Sequence, residues 1–152
     1  MTLRLTASAM TRAAPERAWA VLTDWAGQSR WIPLTTVRVG GSTTGLGVRA
    51  VALSGFWLGH IPVGLLDRFV VTAWSPPGDE PGRLEVVHLG PFFRGSGEFT
   101  LTAVGGGARV DCVEVFHLPG GRLAEAPVRL LLPLMSRGFA HTLRRLTAIS
   151  EA

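Results

Sequence analysis

From residue 33 to residue 118 the chain alternates β-rich stretches with turn signals, and this run limits the possible folds more than any other feature. The stretches are PLTTVRVGG, GVRAVAL, DRFVVTAW, RLEVVHLG, RGSGEFTLTAV and ARVDCVEVFHL. Glycine- and proline-rich breaks such as PPGDEPG, GGG and PGG separate them. Connections this short join neighbouring strands antiparallel, because a parallel crossover needs a dozen residues or more. The run therefore predicts an antiparallel meander.

Two other patterns flank the meander. Residues 2–11 alternate apolar and polar positions, with Leu3, Leu5, Ala7 and Ala9 on one side, which is the period of a half-buried strand. In APERAWAVLTDW, Pro15 suits a first helical position and Glu16 the first turn, while Ala18, Val21, Leu22 and Trp25 recur at helical spacing. Gly27 ends that helix, and GQSRW has room for one more short turn. The chain closes with PVRLLLPLMSRGFAHTLRRLTAIS, where Val128, Leu131, Leu132, Met135, Phe139, Leu143, Leu146 and Ile149 fall on one helical face and Arg137, His141 and Arg144 opposite. Pro133 is expected to kink this helix or delay its start. Strand, two short helices, six strands and a long helix make an α+β chain whose sheet must cover its apolar face with the closing helix. Small and flexible residues on that helix (Met135, Gly138, Ala140, Thr142) leave space between the two, so a cavity is expected.

Composition excludes several alternatives. A length of 152 residues, 47% hydrophobic and 17% charged, fits one compact domain spanning residues 1–152. The lone Cys112 rules out an internal disulfide, and no Cys/His zinc spacing occurs. All fifteen basic residues are arginine and tyrosine is absent, which lifts the isoelectric point although the net charge is only +4. The arginines are scattered without a stripe of stacking aromatics, so nucleic acid is not an expected partner. The first ten residues lack the basic-then-apolar pattern of a signal peptide. LSGFWLGHIPVGLL is too short and broken for a membrane span. These features predict a cytoplasmic protein with no integral membrane segment.

The order of elements, together with PERAWAVLTDWAGQSRWIPL, LLDRFVVTAWSPP, LGPFFRGSGEFTL, GGGARVDCVEVFHLPGG and the closing helix, resembles the START-like helix-grip superfamily (SRPBCC), especially its polyketide cyclase/dehydrase and lipid-transport proteins. The resemblance covers nearly the whole chain. It implies a curved antiparallel seven-stranded sheet wrapped on the long C-terminal helix, with two short helices after the first strand. It also implies a ligand held between sheet and helix; the residues themselves lead to no expected metal or cofactor. That superfamily includes cyclases, dehydratases, lipid carriers and ligand-binding plant proteins, so the fold does not fix the activity. Two functions follow as expectations: a binder of a hydrophobic, lipid- or polyketide-like molecule, or a polyketide aromatase/cyclase or dehydratase using a cavity acid/base residue.

Site residues are expected on the faces that look inward. Trp31, Phe69, Phe93, Phe99, Phe116, Met135 and Phe139 are the expected apolar lining, with Trp31 equally suited to plain core. The stretch GFWLGHIPVG reads as an unusually apolar loop carrying Trp57 and His60. It is compatible with a lid over the cavity mouth, with packing on a second copy in a homodimer, or with transient contact at a membrane surface. Charges within apolar strands need a partner or a function. Glu114 shares a face with Val110, Cys112 and Phe116, and His88 shares one with Leu84 and Val86. With Arg68 they form the expected catalytic set: arginine to polarise a carbonyl, histidine or glutamate to move a proton. The structural alternatives are an ion pair for Glu114 and a satisfied core histidine for His88. GSG at 95–97 suggests close approach of sheet backbone to the helix, or a bulge. Cys112 is not expected to act as a nucleophile.

Overall fold

A computed structural model describes residues 2–152. Strand β1 (Leu3–Thr11) leads into α1 (Pro15–Thr23) and a 3-10 helix (Ala26–Arg30). The meander β2 (Thr35–Gly40), β3 (Arg49–Leu58), β4 (Ile61–Ser75), β5 (Gly82–Pro91), β6 (Arg94–Val104) and β7 (Gly107–His117) follows, and α2 (Gly121–Glu151) closes the chain. The seven strands form one antiparallel sheet in the order β1-β7-β6-β5-β4-β3-β2. The helix-grip expectation is met in element order, pairing and the long closing helix.

The inner face follows from the two-residue period of each strand. Leu84 and Val86 of β5, Phe99 and Leu101 of β6, and Val110 and Cys112 of β7 are buried against Ala18, Trp19 and Leu22 of α1 and Leu143 and Leu146 of α2. A second, smaller cluster sits toward the other end of the groove, where Leu3, Leu5 and Phe116 meet Phe93, Val128, Leu132 and Met135.

Two register shifts bend β4 against β5. Opposite Arg68/Phe69 the partner skips Leu89, and Thr72 is the extra residue between Val71 and Ala73. The second shift turns Trp74 inward, where its ring lies 5.2 Å from that of Trp19 and 6.4 Å from that of Trp25. Simple alternation from Phe69 and Val71 would put Trp74 on the other face; the bulge at Thr72 reverses it.

Short-range hydrogen bonds fix the break between the two tryptophans of LTDWAGQSRW. Asp24 Oδ1 accepts from the Gly27 amide at 3.1 Å, and Arg30 pairs with Asp24 at 2.7 Å. Buried Gln28 donates to the Leu22 carbonyl at 3.2 Å. Arg145 of α2 donates to the Arg30 carbonyl at 2.8 Å, tying the turn to the closing helix. The turn thus plugs one end of the groove with Trp25 and Trp31, 4% and 2% exposed.

Three expectations are corrected here. GFWLGHIPVG is not a loop: β3 and β4 run on through it as a hairpin arm with Gly59 and His60 in the turn. The two strands bond to each other along the arm, and its side chains Phe56, Leu58 and Ile61 stand more than 60% exposed. The helix α2 begins at Gly121 and passes through both Pro127 and Pro133 without the delayed start. Both prolines lie on its exposed side, where the carbonyls they leave unpaired can bond to water. Leu131, placed on the buried stripe by periodicity, is instead 52% exposed.

No helix among the described residues is long and apolar enough to cross a membrane.

Candidate functional site

Between sheet and α2 lie two adjoining chambers. The first, of about 200 Å³, has aromatic walls from Trp25, Trp31, Phe69 and Phe99. The second, of about 230 Å³, is walled by Leu5, Phe116 and Met135. Phe93, Phe139, Asp67, His88 and Glu114 line both and so mark their junction. Ligand cavities commonly run from about 300 Å³ upward, a size reached only where the two are used together.

At the junction the otherwise apolar surface carries a charged cluster. His88 Nδ1 lies 2.7 Å from Asp67 Oδ2, and His88 Nε2 lies 3.2 Å from Glu114 Oε2. Three strands supply the set: Phe69, two residues from Asp67, pairs with His88 across β4 and β5, and Gly97 brings Glu114 alongside from β7. A neutral imidazole has one N–H and could serve only one carboxylate; contact on both sides suits the imidazolium. Burial opposes that charge, but hydrogen bonds and attraction from Asp67 and Glu114 outweigh it, lifting the His88 pKa from 6.5 to about 10. Both ring nitrogens are thus engaged, and among the described residues no group of three His, Cys, Asp or Glu side chains is arranged to hold a metal ion.

Two buried polar atoms of residues lining the aromatic chamber have no hydrogen-bond partner, Asp67 Oδ1 and Trp31 Nε1. Leaving a buried polar atom unsatisfied costs about 1–3 kcal/mol, so such atoms are rare outside functional sites. The Cys112 thiol lies 4.0 Å from Glu114. Burial, together with the charges of Glu114 and Glu98, pushes its pKa well up, which keeps it protonated and unreactive.

Of the expected catalytic set, His88 and Glu114 come together and Arg68 does not. Arg68 is on the opposite side of β4, exposed, with Nε directed to the Gly90 carbonyl at 3.5 Å. Its neighbour Asp67 takes the inward place. Alternation in LLDRFVVTAW separates Asp67, Phe69 and Val71 from Arg68, and burial of Phe69 and Val71 decides which side faces in. Phe69, Phe93, Phe99, Phe116, Met135, Phe139 and Trp31 all lie on one or both chambers. His60 does not: it is exposed at the tip of the hairpin arm. Trp57 pairs with Pro62 in the β3–β4 ladder, but its side chain lies outside the described residues.

Gly97 of GSG is explained by the cluster rather than by the helix. A Cβ on Gly97 would come within 2.5 Å of Glu114 Oε1 and 2.8 Å of its carboxyl carbon. The glycine therefore makes room for the carboxylate. Gly97→Ala should leave the fold intact, since a flexible side-chain end can move, with a stability loss under about 1 kcal/mol. It should push Glu114 off His88 and lower the imidazole pKa by about one unit or more. An NMR titration of the ring checks this, and an unchanged titration would contradict the geometry.

Several solved structures share this architecture. A protein from Thermus thermophilus (TTHA0849) matches with a TM-score of 0.73 at 20% identity, covering 97% of each chain. The Zhui aromatase/cyclase of a Streptomyces species matches with a TM-score of 0.68 at 14% identity, over 99% of this chain and 94% of its own. A norcoclaurine synthase from Thalictrum, solved as a point mutant with a transition-state analogue, matches with a TM-score of 0.65 at 12% identity over 99% and 94%. At these identities the likeness is one of fold. No curated protein matches the sequence significantly. The sequence itself matches the polyketide cyclase/dehydrase and lipid transport family over residues 2–151, and with the helix-grip fold around a two-chambered cavity, the chain belongs to that family.

Proposed function

We propose that the protein binds a hydrophobic small molecule in the two chambers, with its polar group at the Asp67–His88–Glu114 junction. The observation that carries this reading is the contrast in the lining: apolar and aromatic walls converge on one partly buried charged cluster. Apolar walls supply affinity, and a few fixed polar groups supply orientation. The family's description, which includes lipid transport, supports the same reading.

A second reading is catalytic. Asp67 presents a carboxylate oxygen with no partner, the form of a general base, and Glu114 lies on the far side of the same imidazolium. With both its nitrogens engaged, His88 would hold and balance the two carboxylates rather than donate a proton itself. Proton abstraction next to a carbonyl, in a cavity that folds a polyketide-like chain, would need no more machinery than this.

One experiment separates the two. Trp25 and Trp31 line the aromatic chamber, so their fluorescence should change as an apolar dye enters with near one-to-one stoichiometry and is displaced by aliphatic or polycyclic compounds. The same compounds, and a linear poly-β-ketone, are then followed for conversion in wild type and Asp67→Asn. A binder keeps its affinity within a few-fold and converts nothing; an acid/base enzyme keeps affinity and loses on the order of 10²–10⁴ in rate. Absence of any uptake would sink both readings.

A further inference from the structure

We propose that the cavity selects apolar ligands bearing an amine, held as ammonium against Asp67, and discriminates against ligands whose polar end is a carboxylate. This rests on the reading of the chambers as a ligand site and names the ligand class that fits them.

Charge is the first argument. An imidazolium between two carboxylates leaves the cluster one negative charge in excess. Among the described residues no arginine lines either chamber, and Arg68, beside Asp67 in sequence, is exposed on the other face of the sheet. The excess charge therefore faces apolar walls with no second cation beside His88 among the described residues. In such surroundings an opposite charge is favoured and a second like charge is strongly disfavoured.

Hydrogen bonding gives the second argument independently. Asp67 Oδ2 is taken by His88, while Oδ1 is buried without a partner. A carboxylate oxygen only accepts, so the ligand group beside it must donate. Ammonium and hydroxyl groups both do; only ammonium also cancels the charge, and bonds between ionised partners are roughly twice as strong as neutral ones. A ligand carboxylate fails on both counts unless it binds protonated. The aromatic chamber adds rings whose faces tolerate a cation, with Phe69 lying 6.3 Å from the His88 ring.

The test is a matched series measured by calorimetry on the purified full chain near neutral pH: phenylbutylamine, phenylbutanol, phenylbutanoate and butylbenzene. The amine should bind at least about tenfold tighter than the alcohol, and the carboxylate weaker than the alcohol. In Asp67→Asn the advantage of amine over alcohol should shrink to within about threefold while butylbenzene binding persists. Equal or tighter binding of phenylbutanoate than of the amine in wild type overturns the proposal, as does an undiminished amine advantage in folded Asp67→Asn. If that variant does not fold, the wild-type series decides alone. Butylbenzene binding with no amine advantage defeats this inference but keeps the cavity as a ligand site; failure of all four compounds defeats both.

Discussion

Replacement of His88 by leucine should destabilise the protein by about 3–5 kcal/mol near neutral pH, although leucine fills similar space and suits the walls around it. The loss comes from what remains: Asp67 and Glu114 would be left as two carboxylates about one imidazole width apart, each deprived of the cation that holds it. Protonation is their only relief, so the penalty should narrow as pH falls. The wild type carries the complementary signature. The folded pKa of His88, about 10, exceeds its unfolded value near 6.5. Its stabilising contribution is therefore complete below about pH 6.5 and declines through the window up to about 10, at up to about 1.4 kcal/mol per pH unit. Urea unfolding of both proteins at several pH values from 6 to 10 measures this. The raised Cys112 pKa also lowers stability toward alkaline pH, but it acts in both proteins and cancels in the difference. Parallel pH profiles for wild type and His88→Leu would mean that the imidazole is not charged in the fold.

How much of this was legible follows from which patterns are local. Strand period and turn chemistry located the meander, since GGG and PGG break it without tertiary help. Residues such as Leu84, Val86, Val110 and Cys112 fell on the correct face because nothing interrupts alternation in β5 or β7 there, and Glu114 and His88 were placed with them for the same reason. Alternation fails where register is set by a partner. The extra residue Thr72 turned Trp74 inward, and only the pairing with β5 reveals it. Asp67 and Arg68 are adjacent, and sequence alone could not say which one the curl of the sheet would enclose. The hairpin arm looks like a loop in sequence because apolar, glycine-containing GFWLGHIPVG lacks strict alternation; its ladder bonds form across the strand pair, a fact no single strand records. The cluster at the junction required the meeting of β4, β5 and β7, the most remote information of all.

The same limit governs the glycines, and Gly95→Ala is the substitution with the largest expected backbone effect. Gly95 has φ +155° and faces β7 so closely that an added Cβ would overlap the Val115 carbonyl oxygen and lie 2.7 Å from Phe116 Cα. These are backbone atoms, which no rotamer change can move. Gly95 also pairs with His88 on its other side, so β6 is held between two strands and cannot shift away from one without breaking the other. A loss of at least about 3 kcal/mol is expected, with the second chamber distorted through Phe116. Gly64→Ala presents the same local conflict, since φ is +141° and the added Cβ would overlap the Ser54 carbonyl oxygen and come within 2.8 Å of Gly55 Cα. There, however, β4 is paired with β3 alone, in an arm whose side chains Phe56 and Ile61 are mostly in solvent. The arm can open without unfolding the sheet, so the cost is capped by its own local stability. Global melting should fall sharply for Gly95→Ala and little for Gly64→Ala, while hydrogen exchange in the latter speeds up only along the arm. Equal losses in both would show that the arm is part of the cooperative core, and an unchanged Gly95→Ala would show that β6 and β7 are farther apart than this packing requires.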